Sequence, residues 1–245
     1  MTRLTGAGGR DSLAVLAALQ SSARKRSLAG VLADPRVRLS AGAAATMATA
    51  IAARRQRVSR GEAMAFSVVN DLPDVLYPPA WLIMQLGTLG AAPAAAAVAW
   101  LAGDRRLAGR LLAGGAGTWA ASKVVKRMVR RPRPAALLPG TRRRGPDAAG
   151  LGYLSGHAGV AVALGAAALP HLGPAGRALT LAVMPTVGLT RVYVGAHLPL
   201  DIAGGAALGL AMEAALALAQ EYRPHSAIAG ELPGGIWARR RPAAG

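Results

Sequence analysis

Residues 75–103 read VLYPPAWLIMQLGTLGAAPAAAAVAWLAG, with no charge between Asp74 and Asp104. A helix crosses a bilayer with about 20 mostly apolar residues, and this run is long enough. Residues 148–176, between Asp147 and Arg177, form a second charge-free run of that length. Three shorter runs, 39–53, 111–122 and 178–190, span only if the flanking Arg and Lys side chains reach out to the interface. A last segment, 202–220, carries one charge, Glu213. The pattern predicts six helices, at 39–54, 79–102, 106–126, 156–170, 176–193 and 199–220. Pro78 and Pro79 open the second. The expected fold is all-α, a polytopic membrane protein built as a six-helix transmembrane bundle.

Composition agrees with that reading. Hydrophobic residues make up 53% of the 245-residue chain, charged residues 16%, and mean hydropathy is +0.33. A soluble domain is about 25% charged. With one Phe, four Trp and four Tyr, a large aromatic core is excluded. The absence of Cys excludes disulfides, thiolate metal sites and a cysteine nucleophile. The net charge of +18 calls for an anionic partner or surface. Of 29 basic residues three are lysines (Lys25, Lys123, Lys126), which leaves 26 arginines. In a text this rich in Arg, a single Arg carries little information.

Around the bundle, residues 1–38 read as an N-terminal cytoplasmic arm, 39–222 as the membrane domain and 223–245 as a disordered basic tail. Residues 61–72 look like an interfacial amphipathic piece ended by Pro73. Gly205 and Gly209 form a GxxxG pair, and Gly114, Gly115 and Gly117 give another small-residue face. Such faces suit close helix packing and admit a homo-oligomer.

Three clusters place ionisable residues where a membrane protein tolerates them least. The first is Lys126-Arg-Met-Val-Arg-Arg-Pro-Arg133-Pro134. The second is Ser155-Gly156-His157. The third is Arg191-Val-Tyr-Val-Gly-Ala-His197-Leu-Pro-Leu-Asp201. If the spans alternate, all three fall at the same membrane face. Arg130, Arg131 and 142–144 read as a rim of charge facing lipid headgroups.

The chemistry these clusters suit is phosphoryl transfer. Lys126, Arg133 and Arg191 offset the phosphate charge, the arginines with forked donors. Ser155 offers a hydroxyl. The backbone N–H groups of Gly156 and His157 sit at a helix N-terminus, where anions bind. His197 is the nucleophile candidate. Asp201, four residues on, lies on the same face and can hold one ring N–H, which fixes the attacking nitrogen. His157 is left as the acid. No metal or cofactor is required, and His171 and His225 fall on the opposite face.

Taken together, the clusters resemble the type-2 phosphatidic acid phosphatase family, whose pattern is Lys-x6-Arg-Pro, Pro-Ser-Gly-His and Ser-Arg-x5-His-x3-Asp. Lys126, Arg133 and Pro134 match the first element. Ser155, Gly156 and His157 match the second, with Leu154 where the family has proline. Arg191, His197 and Asp201 match the third, with Thr190 for serine. The resemblance covers about residues 62–220. It implies six transmembrane helices, metal-independent hydrolysis and a phosphohistidine intermediate on His197. Residues 84–90 and 70–73 also look like actinobacterial members. In that setting the candidate substrates are phosphatidic acid, phosphatidylglycerol phosphate, polyprenyl diphosphates and a decaprenyl-linked phosphoribose phosphate.

The expected location is the bacterial inner membrane. Setting aside Lys126, Arg133 and Arg191, 11 basic residues fall on the active-site side and 15 on the other. By the positive-inside rule this favours an extracytoplasmic site. Two rivals follow from the same charge. A non-catalytic binder of anionic lipid heads has no need of His157, His197 and Asp201. A nucleic-acid-binding protein has no need of charge-free runs.

Overall fold

The computed structural model describes residues 33–146 and 149–222. The expected arm over 1–32 and the tail over 223–245, with His225, lie outside the described residues. Among the described residues all regular structure is helical.

Helix α1 runs Pro35–Arg54 and so takes in residues 35–38, which were expected in the arm. It starts on the Asp34 carboxylate, which accepts the Arg36 N–H at 2.8 Å, with proline in the first turn. Helix α2, Arg60–Asn70, covers most of the stretch expected as an interfacial piece and is capped by Ser59.

The helix expected over 79–102 is not continuous. It divides into α3 (Tyr77–Met84), a 3-10 turn (Gln85–Gly87) and α4 (Ala91–Leu101), bent by 67°. The break has a local cause. Thr88 is extended (φ −76°, ψ 164°), and its hydroxyl donates to the Gln85 carbonyl at 2.7 Å. Gly87 lies against the His157 carbonyl, 2.5 Å from where a Cβ would sit. Counting charges detects none of this.

The other elements follow the sequence closely. Helix α5 is Arg105–Val129, capped by Asp104, and α6 is a single turn, Pro134–Leu137. Helix α7 is Gly156–Ala168, α8 is Pro174–Tyr193 and α9 is Pro199–Glu221.

Helix α7 is the axis, with eight of its residues buried, from Ala158 to Ala167. Helices α9, α5 and α8 pack around it. Outside them α1 lies on α9, α4 on α5, and α3 against α8. Small residues set the spacing. A methyl on Gly205 would overlap the Ser155 carbonyl, one on Gly209 the Gly159 carbonyl, and one on Gly115 the Ala92 Cβ. The GxxxG pair is thus used inside the chain, between α9 and α7. On the opposite face of α9, a Cβ at Gly42 of α1 would sit 2.8 Å from the Ala207 carbonyl. Close approach replaces large side chains as the source of dispersion energy.

Glu213 is buried on α9. It pairs with Arg38 of α1 at 3.1 Å and with Arg110 of α5. Among the described residues, α9 alone is long and apolar enough to cross a bilayer as a single helix. The bent pair Asp74–Gly87 and Ala91–Leu101 makes a second crossing if taken as one span.

Candidate active site

The site forms where α5 ends, α7 begins and α8 turns into α9. Helix α5 stops because Arg130 adopts the left-handed conformation (φ 56°), with Pro132 and Pro134 following. That reversal sends Arg131 inward. Lys126, one turn back, donates to the Leu151 and Gly152 carbonyls at 3.2 and 3.1 Å. Arg133 donates to the Ala196 carbonyl at 2.7 Å and the Ala149 carbonyl at 2.9 Å. The first cluster therefore holds the segments that carry the other two.

Ser155 caps α7, its hydroxyl oxygen accepting the Ala158 N–H at 3.4 Å. Its own N–H donates to the Asp201 carbonyl at 2.9 Å, which joins the second cluster to the third. At the end of α8 the Arg191 carbonyl accepts the Ala196 and His197 N–H groups at 3.1 and 3.2 Å. Gly195 makes that turn at φ 71°, and a side chain there would strike the Arg142 carbonyl. Proline at the start of α9 leaves His197 just outside the helix.

His197 is 3% exposed, with Nδ1 3.7 Å from Asp201 Oδ2. That separation is an ion-pair distance, longer than a hydrogen bond. The expectation that Asp201 holds the ring N–H is met in placement only. The Asp201 carboxylate is fully engaged from behind. Oδ2 accepts the Leu198 N–H at 2.9 Å, and Oδ1 accepts from Arg131 Nη1 at 2.9 Å.

Arg131 corrects the sequence reading. It is completely buried, not part of a lipid-facing rim. Its guanidinium also donates to both oxygens of Glu62, at 3.0 and 2.8 Å. Glu62 in turn accepts the Leu200 N–H at 3.2 Å. Sequence reasoning missed both residues. Arg131 is one arginine in an Arg-rich run. Glu62 sits three residues after Ser59, the spacing of a local capping pair, yet its side chain turns away to residues 69 and 138 positions distant.

Arg133, His157 and Arg191 line a cavity of about 650 Å³, with Tyr77 and Trp81 on one wall. Lys126, Ser155, Gly156, His197 and Asp201 are not among its lining residues; Ala196, next to His197, is. The Nε–H groups of Arg133 and Arg191 are buried and have no partner among the described residues. Arg191 Nη1 lies 2.6 Å from the Met84 sulfur, a weak acceptor. Such donors suit an anion with several oxygens. Among the described residues no three His, Asp or Glu side chains come together as a metal cage would require. His171 lies at the far end of the bundle, 3.0 Å from Asp104.

Burial pushes the His197 imidazole down to about 3, against the opposing pull of Asp201, so the ring is neutral. For Arg131, burial acts downward, but the Glu62 hydrogen bonds and the Asp201 charge outweigh it and raise the guanidinium above its ordinary value. Burial lowers Arg133, partly offset by Asp201.

Residues 107–224 match the model of the PAP2 superfamily. Two solved structures share the fold. The crystal structure of Aquifex aeolicus LpxE aligns with TM-score 0.58 at 18% identity, over 63% of this chain and 93% of that one. The crystal structure of a transmembrane PAP2-type phosphatidylglycerolphosphate phosphatase from Bacillus subtilis aligns with TM-score 0.56 at 17% identity, over 76% and 98%. No curated protein sequence matches the chain. Arg131 lies within the matched residues, and Glu62 lies outside them.

Proposed function

We propose that the chain, whose residues 107–224 match the PAP2 superfamily model, is a member of that superfamily and a membrane-embedded phosphatase of lipid phosphates or diphosphates. One observation carries the proposal. The cavity lined by Arg133, His157 and Arg191 is lined also by Ala196, the residue before the buried His197 that faces Asp201.

In the proposed reaction the substrate phosphate lies against the unpartnered Arg133 and Arg191 donors. Its charge favours the imidazolium form of His157. Asp201 faces Nδ1 of His197, so the lone pair on Nε2 attacks phosphorus. The phosphorus–oxygen bond to the lipid breaks, and His157 donates its proton to the departing oxygen. Water then attacks the phosphohistidine, His157 takes a proton from it, and the phosphorus–nitrogen bond breaks to free phosphate. Lys126, Ser155 and Gly156 support the same anion from behind. The chain's own residues suffice for every step.

We read α1, the bent α3–α4 pair, α5, α7, α8 and α9 as six crossings of the bacterial inner membrane. Exposed apolar side chains on their outer faces support this, among them Met47, Ile51, Val98, Leu101, Trp119 and Leu181. The excess of basic charge on the other side favours an extracytoplasmic site. Purified protein in detergent is expected to release phosphate from at least one of phosphatidic acid, phosphatidylglycerol phosphate and a polyprenyl diphosphate, with EDTA present. His197→Ala is expected to abolish the release. Release that requires a divalent metal, or that survives the substitution, refutes the mechanism. A protein that binds these lipids without turnover is the non-catalytic binder.

A further inference from the structure

We infer that Glu62 is a positioning residue that cancels the charge of Arg131 and so leaves the Asp201 carboxylate free to stabilise His197 during phosphoryl transfer. This rests on the lipid-phosphatase reading and extends it to a helix outside the family match.

Three observations lead to it. First, Arg131 is fully buried and touches Asp201 at 2.9 Å, so by itself it would neutralise the carboxylate that faces His197. Second, Glu62 occupies the other side of the same guanidinium through two hydrogen bonds, at 3.0 and 2.8 Å. The three side chains together carry one net negative charge. Third, the Leu200 N–H donates to Glu62 and the Leu198 N–H to Asp201, at 3.2 and 2.9 Å. The loop that bears His197 is thus fixed on both carboxylates.

The charge matters at one moment. When Nε2 bonds to phosphorus, the His197 ring becomes cationic. A neutral Asp201–Arg131 pair would offer it little stabilisation; a chain with a surplus negative charge offers more. Arg131 and the Leu198 N–H set the plane of the Asp201 carboxylate and aim Oδ2 at Nδ1. Glu62 makes that arrangement electrostatically useful. The neutral imidazole before attack and the cationic one after it need the same geometry, so no rearrangement is required.

The test is a rapid-quench experiment with enzyme in excess over radiolabelled dioctanoyl phosphatidic acid in micelles, stopped in alkali to preserve phosphohistidine. It reads both the rate constant and the amplitude of protein labelling. Glu62→Gln is expected to slow labelling by about 10- to 100-fold, the range for partners one step behind a reacting group. Its KM, read from steady-state phosphate release, should hold. Removing both charges, in Glu62→Gln with Arg131→Met, is expected to label faster than Glu62→Gln alone although it lacks one more contact. A merely structural role predicts fewer active molecules at an unaltered rate constant. That result overturns the inference, as does a double variant no faster than Glu62→Gln. Should the Arg131 variant fail to fold, Glu62→Asp keeps the charge and must label faster than Glu62→Gln; equal rates overturn the proposal. Wild-type protein that labels on His197 with none of radiolabelled phosphatidic acid, phosphatidylglycerol phosphate and a polyprenyl diphosphate overturns the phosphatase reading itself. Labelled wild type with an indifferent Glu62→Gln overturns only the role of Glu62.

Discussion

Helix α9 carries two buried carboxylates, Asp201 and Glu213, and each is held by arginine. At one end two acids share one base, Glu62–Arg131–Asp201. At the other, two bases share one acid, Arg38–Glu213–Arg110. The first leaves a surplus negative charge beside a buried histidine. The second leaves a surplus positive charge, and its three residues come from α1, α5 and α9. Burial of the carboxylate alone therefore does not mark function, since Asp201 and Glu213 are both hidden. What separates them is the sign of the leftover charge and whether a nucleophile stands next to it.

The sharpest test of that contrast is a pair of isosteric changes. Asp201→Asn is expected to lower kcat by about 10³- to 10⁴-fold, as when the orienting acid of a triad becomes an amide. Glu213→Gln should leave kcat within about threefold while lowering stability by about 2–4 kcal/mol, because two arginines lose their counter-charge. Phosphate release and thermal denaturation measure the two effects. Equal behaviour of the two variants would erase the distinction.

Packing offers a second comparison. Gly205→Ala and Gly42→Ala each add a methyl to a tight face of α9 and should each cost about 1–3 kcal/mol. Only the former presses on the Ser155 carbonyl, so only the former should also slow phosphate release. Melting curves read beside initial rates separate the two.

Acidity gives a smaller effect. A buried imidazole held at about 3 stays neutral in the fold, whereas an unfolded histidine takes up a proton near 6.5. Stability from this group is therefore full above pH 6.5 and falls as pH drops from there toward 3. The loss at pH 5 is about 2 kcal/mol. In His197→Asn this part of the decline should vanish, as denaturant titrations at pH 7 and pH 5 would reveal. The smallest effect concerns the stop of α5. Arg130 holds a left-handed conformation at φ 56°, and glycine there should raise stability by about 0.5–1 kcal/mol with activity intact.

The three clusters stood out because each is contiguous and chemically distinct from its surroundings, and the structure joins them at one place. The helix start at Pro199 was legible because proline is a local signal, whereas the helix expected from residue 176 begins two residues earlier, at Pro174. Arg131 was not legible. Its neighbours Arg127, Arg130 and Arg133 are chemically identical, and only the backbone reversal at Arg130 decides which guanidinium points inward. Glu62 was hidden by distance along the chain. The break between α3 and α4 escaped because a charge count has no term for the Thr88 hydroxyl or for the room that Gly87 leaves to His157.

The order of the residues has a consequence for biosynthesis. Asp201 is joined to Arg131, 70 positions earlier, and its neighbour Leu200 to Glu62, 138 positions earlier, and a ribosome delivers chains from the N-terminus. While α1 to α8 are already made, Arg131 has only Glu62 for company, and Gly42 waits with its face uncovered. The arrival of residues 197–221 closes both gaps together. A nascent chain is thus inert until α9 is made, and products arrested before it carry the charges of the site without its nucleophile.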